Sequence, residues 1–273
     1  TAKPGVANLI TDALMEGTKN KTPEQLEEAI ELLGASIQWY TGREEITVRA
    51  SCLSRNFEKT LALVEEMLLE PRWDSAQFEL AKIRTINDIE QREADPQSLA
   101  SNAMYKLLYG KNNVLAGNTY GTKESVASIT LDDLKAFYSK NFSPSVSRFN
   151  IAGNVTQEEV NKALTSMVSS WKEKQVSFPV YTIPEAPKQS VIYFINVPGA
   201  KQSVVYAGNL SVPRTNPDFY ALTVMNYKLG GSFSGILNLI LREEKGYTYG
   251  ARSGFSEAKN PAPFLASTSV RSD

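Results

Sequence analysis

The chain of 273 residues has no histidine, one cysteine, 29 basic and 30 acidic residues, and a formal charge of −1. Without imidazoles it offers no His-ligated zinc, no Ser–His or Cys–His catalytic pair and no His-held haem; with Cys52 alone it offers no internal disulfide, thiolate zinc cluster or iron–sulfur site. The near-neutral charge argues against a nucleic-acid partner, 42% hydrophobic and 22% charged residues describe an ordinary globular protein, and no apolar run approaches the roughly 20 residues that span a bilayer.

The length predicts about two domains. Val6, Leu9, Ile10, Ala13 and Leu14 recur at helical spacing, with Gly17 as a stop. Thr22-Pro23-Glu24-Gln25 combines an N-cap, a first-turn proline and a capping-box glutamine, opening a helix to Leu33. Ser36–Tyr40 and Glu45–Leu53 alternate and read as an antiparallel hairpin. Helices are predicted over Phe57–Leu69, Ser75–Ala94, Gln97–Leu108, Thr130 (as N-cap) to Asn141, and Thr156–Trp171, with a strand over Val146–Ala152. Cys52 reads as a small core residue, the pairs Glu27/Glu31 and Glu65/Glu66 as solvated helix faces, and Trp39, Trp73 and Trp171 as packing anchors.

Residues 174–188 carry three prolines and no amphipathic period, the mark of an extended linker. Strands are predicted beyond it over Ser190–Asn196 and Ser203–Leu210, then a helix from Asp218 to Lys228 and another opened by Gly230-Gly231-Ser232 and running through Arg242. Strands Tyr249–Phe255 and Phe264–Val270 follow. Helices and strands do not alternate strictly, which favours an α+β fold over a doubly wound parallel sheet. The expected organisation is a first domain over 1–173, a linker over 174–188 and a second domain over 189–273 that reads as cut short. The opening residues lack the basic-then-apolar order of a secretory signal and leave the compartment open.

Three strings resemble the pitrilysin/insulinase class of inverted-zincin peptidases. Gly5 through Thr18 is similar to that family's metal helix, where H-x-x-E-H is closed by Gly-Thr. Tyr109-Gly110 through Gly121, the helix beginning near Ile129 and Phe149 through Val155 are similar to its run into a last strand. The most specific string runs from Leu229-Gly230-Gly231-Ser232-Phe233-Ser234 to Leu241-Arg242-Glu243-Glu244-Lys245-Gly246-Tyr247-Thr248-Tyr249-Gly250. The resemblance implies tandem α+β domains, each a mainly antiparallel sheet packed with helices.

In the family, two histidines grip zinc, a glutamate activates water and an acidic ligand arrives from a later helix. The matching positions here hold Asn8, Thr11 and Asp12, and Asp88 falls at the distal ligand position. An amide is a poor zinc ligand, and a threonine hydroxyl is no base near neutral pH. Zinc peptidase activity from this chain alone is therefore not expected; the zinc is expected in a partner half. Asn8, Thr11 and Asp12 otherwise read as a polar helix stripe, or Asp12 and Asp88 with waters as a hard-cation site. The resemblance further implies that Arg242 and Tyr249 assist the oxyanion at the partner's zinc, and that Gly230, Gly231 and Ser232 admit a peptide backbone. A surface ion pair of Arg242 with Glu243 or Glu244 and a half-buried strand role for Tyr249 are the bland alternatives. No nucleotide-binding glycine pattern accompanies the loop. The implied partners are a zinc-bearing half, in the same chain or a separate subunit, and a peptide substrate. A catalytically dead scaffold subunit and an independent Asp12/Asp88 hydrolase are competing readings.

Overall fold

The computed structural model describes residues 3–111, 113–178, 180, 182–185 and 189–271. It forms two compact units, Thr1–Glu90 with Asn118–Val180 and Gln91–Gly117 with Tyr181–Asp273.

In the first unit, α1 (Val6–Ala13) begins at Gly5, whose φ of 97° lies in the left-handed region. A Cβ there would lie 2.7 Å from the Tyr120 carbonyl oxygen, so glycine serves both the turn and the close approach. Val6, Leu9 and Ile10 bury one face of α1 against Phe78, Ala81 and Ile89 of α4 (Ser75–Ala94) and Leu134 of α7 (Leu131–Asn141). A second cluster joins Leu26 of α2 (Pro23–Leu32), Ile37 of β1 (Ser36–Thr41), Leu61, Val64 and Met67 of α3 (Phe57–Leu69), and Met167 of α8 (Gln157–Ser170). β1 pairs antiparallel with β2 (Ile46–Ser51), placing Trp39 opposite Val48, and Trp39 packs against both clusters.

The helix starts follow their capping signals. Thr22 with Gln25, Thr130 with Asp133 and Thr156 with Glu159 close reciprocal capping boxes, as does Thr122 with Ser125 ahead of the short α6 (Lys123–Ala127). Trp73 meets Tyr138 edge-on at 5.4 Å, and Trp171 packs on the second cluster. Two expectations are corrected here. Cys52 is half-buried and lies outside both clusters. Glu66 is no solvated residue: it accepts 2.6 Å hydrogen bonds from the Thr18 hydroxyl and the Lys21 ammonium.

The second unit holds a three-stranded antiparallel sheet in the order β3–β5–β4: β3 (Gln202–Leu210), β5 (Pro263–Arg271) and β4 (Thr248–Phe255). The stretch Gln91–Gly117 groups with it because α5 (Pro96–Tyr109) packs on β3 and the Tyr109 hydroxyl donates to the Pro261 carbonyl. The helix after Asp218 is α9 (Phe219–Asn226), which widens into a π-helical turn at Tyr227–Gly231. The helix expected to start at Gly230 instead begins with the short α10 (Ile236–Asn238) and continues as a π-helical stretch, Leu239–Glu244.

The strands expected at Val146–Ala152 and Ser190–Asn196 do not form. Residues 144–146 make a single 3₁₀ turn, and 147–152 have no regular structure. The apolar side chains of both segments stay exposed, Phe149 at 49% and Ile192 at 96%. An alternating or apolar run gives a strand its faces, but only a neighbouring edge satisfies its backbone. Among the described residues β1 and β2 pair with each other, and β3 and β4 both pair with β5. Residues 174–178, 180 and 182–185 of the expected linker carry no regular structure, and the rest of it lies outside the described residues.

Candidate functional site

The first unit contains a cavity of about 550 Å³ lined by Asn8, Thr11, Asp12 and Glu16 from the α1 region, Trp39, Tyr40 and Thr41 from β1, and Arg84, Thr85 and Asp88 from α4, together with Met15, Thr119 and Tyr120. The fold thus brings all four expected degenerate metal positions to one cavity. Helical spacing explains their convergence: Asn8 and Asp12 are one turn apart on α1, as are Arg84 and Asp88 on α4.

Thr11 is buried, and its hydroxyl donates to the Asn8 carbonyl at 2.7 Å and lies 3.1 Å from the Thr41 hydroxyl. Thr41 in turn donates to the Ala7 carbonyl at 3.1 Å. The residue at the family's general-base position therefore ties α1 to the hairpin. Burial pushes the Asp12 carboxyl up to about 6; Arg84 pulls it back only in part, and Glu16 and Asp88 add to the rise. Arg84 pairs with Glu16 at 2.8 Å, leaving Asp12 with no ion-pair partner among the described residues.

These residues do not fit zinc. Zinc sites use His, Cys and carboxylate donors in a tetrahedron. Here the donors are one amide, one hydroxyl already engaged by backbone, and two carboxylates. Among the described residues no group of three or more His, Cys, Asp or Glu could hold a metal.

The second candidate site is in the other unit. Gly230 is buried against β4, where a Cβ would lie 2.5 Å from the Ser253 Oγ and 2.7 Å from its backbone nitrogen. Beside it the Asn226 amide donates to the Ser253 carbonyl at 2.8 Å, and the Ser253 hydroxyl donates back to the Asn226 side-chain oxygen. The Asn238 amide donates to the Phe233 carbonyl at 2.7 Å and accepts from the Ala251 N–H at 3.2 Å. These three buried polar residues bolt the loop to the strand. Sequence reading missed them, although a polar residue interrupting an apolar helical stretch was the available signal. Gly231 is exposed and Ser232 half-buried, its hydroxyl donating to the Tyr227 carbonyl at 3.1 Å.

Arg242 lies in the π-helical stretch with its guanidinium 4.6 Å from the centre of the Phe233 ring and 3.0 Å from Glu243, as the surface-pair alternative has it. Tyr249, on β4, is 88% exposed, which corrects the half-buried alternative. Among the described residues no helix is long and apolar enough to cross a membrane.

The chain is α+β, with helices packed on antiparallel strands, four degenerate metal positions meeting in one cavity and a glycine loop fastened to a strand. Residues 128–273 match the peptidase M16 inactive domain, and residues 1–123 match the insulinase (peptidase family M16) domain. The chain belongs to the peptidase M16 family. It is similar to a non-peptidase homolog, YmxG, of Helicobacter pylori, with 26% identity over 93% of this chain and 58% of the relative. A probable mitochondrial-processing peptidase subunit beta of Arabidopsis thaliana is 24% identical over 83% of this chain and 43% of the relative. The crystal structure of a peptidase M16 inactive domain from Pseudomonas fluorescens superposes with a TM-score of 0.84 and 26% identity, covering 98% of this chain and 65% of that one. The chain thus spans little more than half the length of the first of these relatives.

Proposed function

We propose that the chain is the non-catalytic half, or partner subunit, of an M16-type zinc endopeptidase. It closes a peptide-binding chamber and presents Arg242 and Tyr249 to a zinc centre held by the other half. The observation that carries this reading is Tyr249: an aromatic residue 88% exposed on β4, next to a loop fixed by a buried polar network, is positioned to meet something outside the chain. Arg242 is no obstacle, since its partner Glu243 is 56% exposed and such pairs contribute only about 0–1 kcal/mol. A guanidinium released from it would serve a developing oxyanion.

In this reading the peptide lies in extended form along the region of Gly230, Gly231 and Ser232, and zinc belongs to the other half. The scaffold alternative is favoured by one observation, the engagement of Arg242 by Phe233 and Glu243. The test is reconstitution: the chain alone cleaves no peptide, and adding a zinc-bearing M16 half produces turnover that falls when Arg242 is replaced by Ala. Unchanged turnover in the Arg242→Ala complex would overturn the assigned role.

A further inference from the structure

We propose that the outward face of α9 is a self-association surface, on which a second copy of this chain packs antiparallel about a twofold axis at Val224. The helix Phe219–Asn226 contains no charged residue. A helix that is apolar all round is normally covered on every side, yet this one is covered on one. Phe219 and Asn226 are buried and the helix packs on β4, while Tyr220, Val224, Met225 and Tyr227 are exposed. The helical stretch beginning at α10 repeats the pattern on the same strand. Asn238 is buried there, and Ile236, Leu239 and Ile240 are exposed.

These seven large apolar side chains are between 40 and 75% exposed, more than the scattered single residues of an ordinary surface. Covering them would remove on the order of 700 Å² from water, near the roughly 800 Å² that each partner gives to a standard interface.

Two observations select a second copy as the cover. The first is charge. Asp218 precedes α9 and Lys228 follows it, both exposed, and neither has an ion-pair partner among the described residues. Val224 lies four residues from Tyr220 and four from Lys228, so the three share one side of the helix. Antiparallel pairing about Val224 therefore sets that residue on its own copy. It also brings Lys228 beside the copy's Tyr220, within reach of the copy's Asp218, and symmetry makes the contact twice. The second observation is a fixed ring. The Arg214 guanidinium, paired with Glu257, donates to the Tyr220 hydroxyl at 3.0 Å, so the ring loses little freedom on association.

A lipid surface is a poorer match. Helices that lie in the membrane interface carry a basic polar face, whereas α9 has none and Lys228 is balanced by Asp218. The pairing requires nothing of a zinc-bearing half, so its failure and that of the proposed subunit role are separately visible.

The test is sedimentation velocity of the 273-residue chain from about 1 to about 100 μM. A monomer–dimer equilibrium centred near about 10 μM is expected. Val224→Glu sets two carboxylates against each other at the axis and should weaken dimerisation tenfold or more, by about 1.4 kcal/mol at least. Lys228→Glu and Asp218→Lys should each weaken it about tenfold, since each change acts twice. An equimolar mixture of these two variants should dimerise like the unaltered chain, because every charge again meets its opposite. Recovery in the mixture also shows that neither variant is misfolded. The proposal is overturned if the chain stays monomeric at about 100 μM, if Val224→Glu dimerises undiminished, or if the mixture associates no better than either variant alone. A monomeric chain that binds a zinc-bearing M16 half, and binds it less tightly after Val224→Glu, would overturn self-pairing and give the face to that half.

Discussion

The cavity beside α1 and the loop beside β4 handle polar side chains in opposite ways. At the loop the buried polar residues Asn226, Asn238 and Ser253 are all engaged, and what remains exposed is Tyr249 with a weakly held Arg242. At the cavity Asp12 is half-buried with no ion-pair partner, and the buried Trp39 indole N–H has no acceptor, among the described residues. The first arrangement fixes a backbone and leaves the Tyr249 side chain exposed beside it. The second keeps the site from being saturated by the protein itself. Saturation of partners, more than residue type, therefore separates structural polar groups from those available to a ligand.

The strongest way to break this contrast is at Arg242. In a reconstituted complex Arg242→Ala is expected to lower turnover about 100-fold or more, the scale of losing an oxyanion donor. Asn8→Ala should leave it within about twofold, the scale of a side chain that makes no transition-state contact. Steady-state peptide hydrolysis decides it, and equal effects would erase the functional difference between the two sites.

Asp12 sharpens the contrast through pH. Its carboxyl is raised from 3.8 to about 6, so the folded state holds the proton more tightly than the unfolded one. Stability should fall as pH rises from about 4 to about 6 and stay lower above that window. Asp12→Asn should stabilise the protein at pH 7.5 by about 2–3 kcal/mol and have little effect near pH 3.5. Urea melts at the two pH values measure this, and a wild-type stability that instead rises through the window would refute the assignment.

Gly230→Ala examines the fastened loop. The added methyl meets Ser253 backbone and side-chain atoms at 2.5–2.7 Å, so a loss of about 1–3 kcal/mol is expected in chemical denaturation. The smallest effect concerns the helix starts of the first unit. Thr130→Ala removes the hydroxyl that accepts from the Asp133 N–H and should cost about 1 kcal/mol. An equal loss from Asp218→Ala, where the side chain makes no cap at α9, would remove the distinction between locally signalled and tertiary helix starts.

Much of this molecule was legible in the sequence where the determinants are local. Thr22, Thr130 and Thr156 marked helix starts because a capping box is complete within four residues. The α+β class followed from the order of periods, and the family from the strings around Asn8 and Gly230. What was not legible depends on remote neighbours. Val146–Ala152 and Ser190–Asn196 have strand patterns, yet a strand needs an edge that its own residues do not encode. The π-helical widening at Tyr227 and Leu239 accompanies the close approach of the loop to β4, another non-local fact. The cavity was half visible: Asn8, Thr11, Asp12 and Asp88 were expected together. Glu16, Arg84 and Thr85 were missed, although Glu16 and Arg84 lie one turn from Asp12 and Asp88 on the same two chain segments.

The packing of α5 on β3 has a consequence for synthesis on the ribosome. The polypeptide leaves the first unit after Glu90, contributes Gln91–Gly117 to the second, and returns to the first at Asn118. About 90 residues separate Tyr109 from Gln202, so at ordinary translation rates α5 emerges roughly 5–20 s before the strand that covers it. During that interval Tyr105, Leu108 and Tyr109, which the finished protein packs near Leu210, are apolar surface without a lid. The nascent chain is then most exposed to chaperones and to self-association, and slowing elongation within Asn118–Val180 should lengthen that exposure.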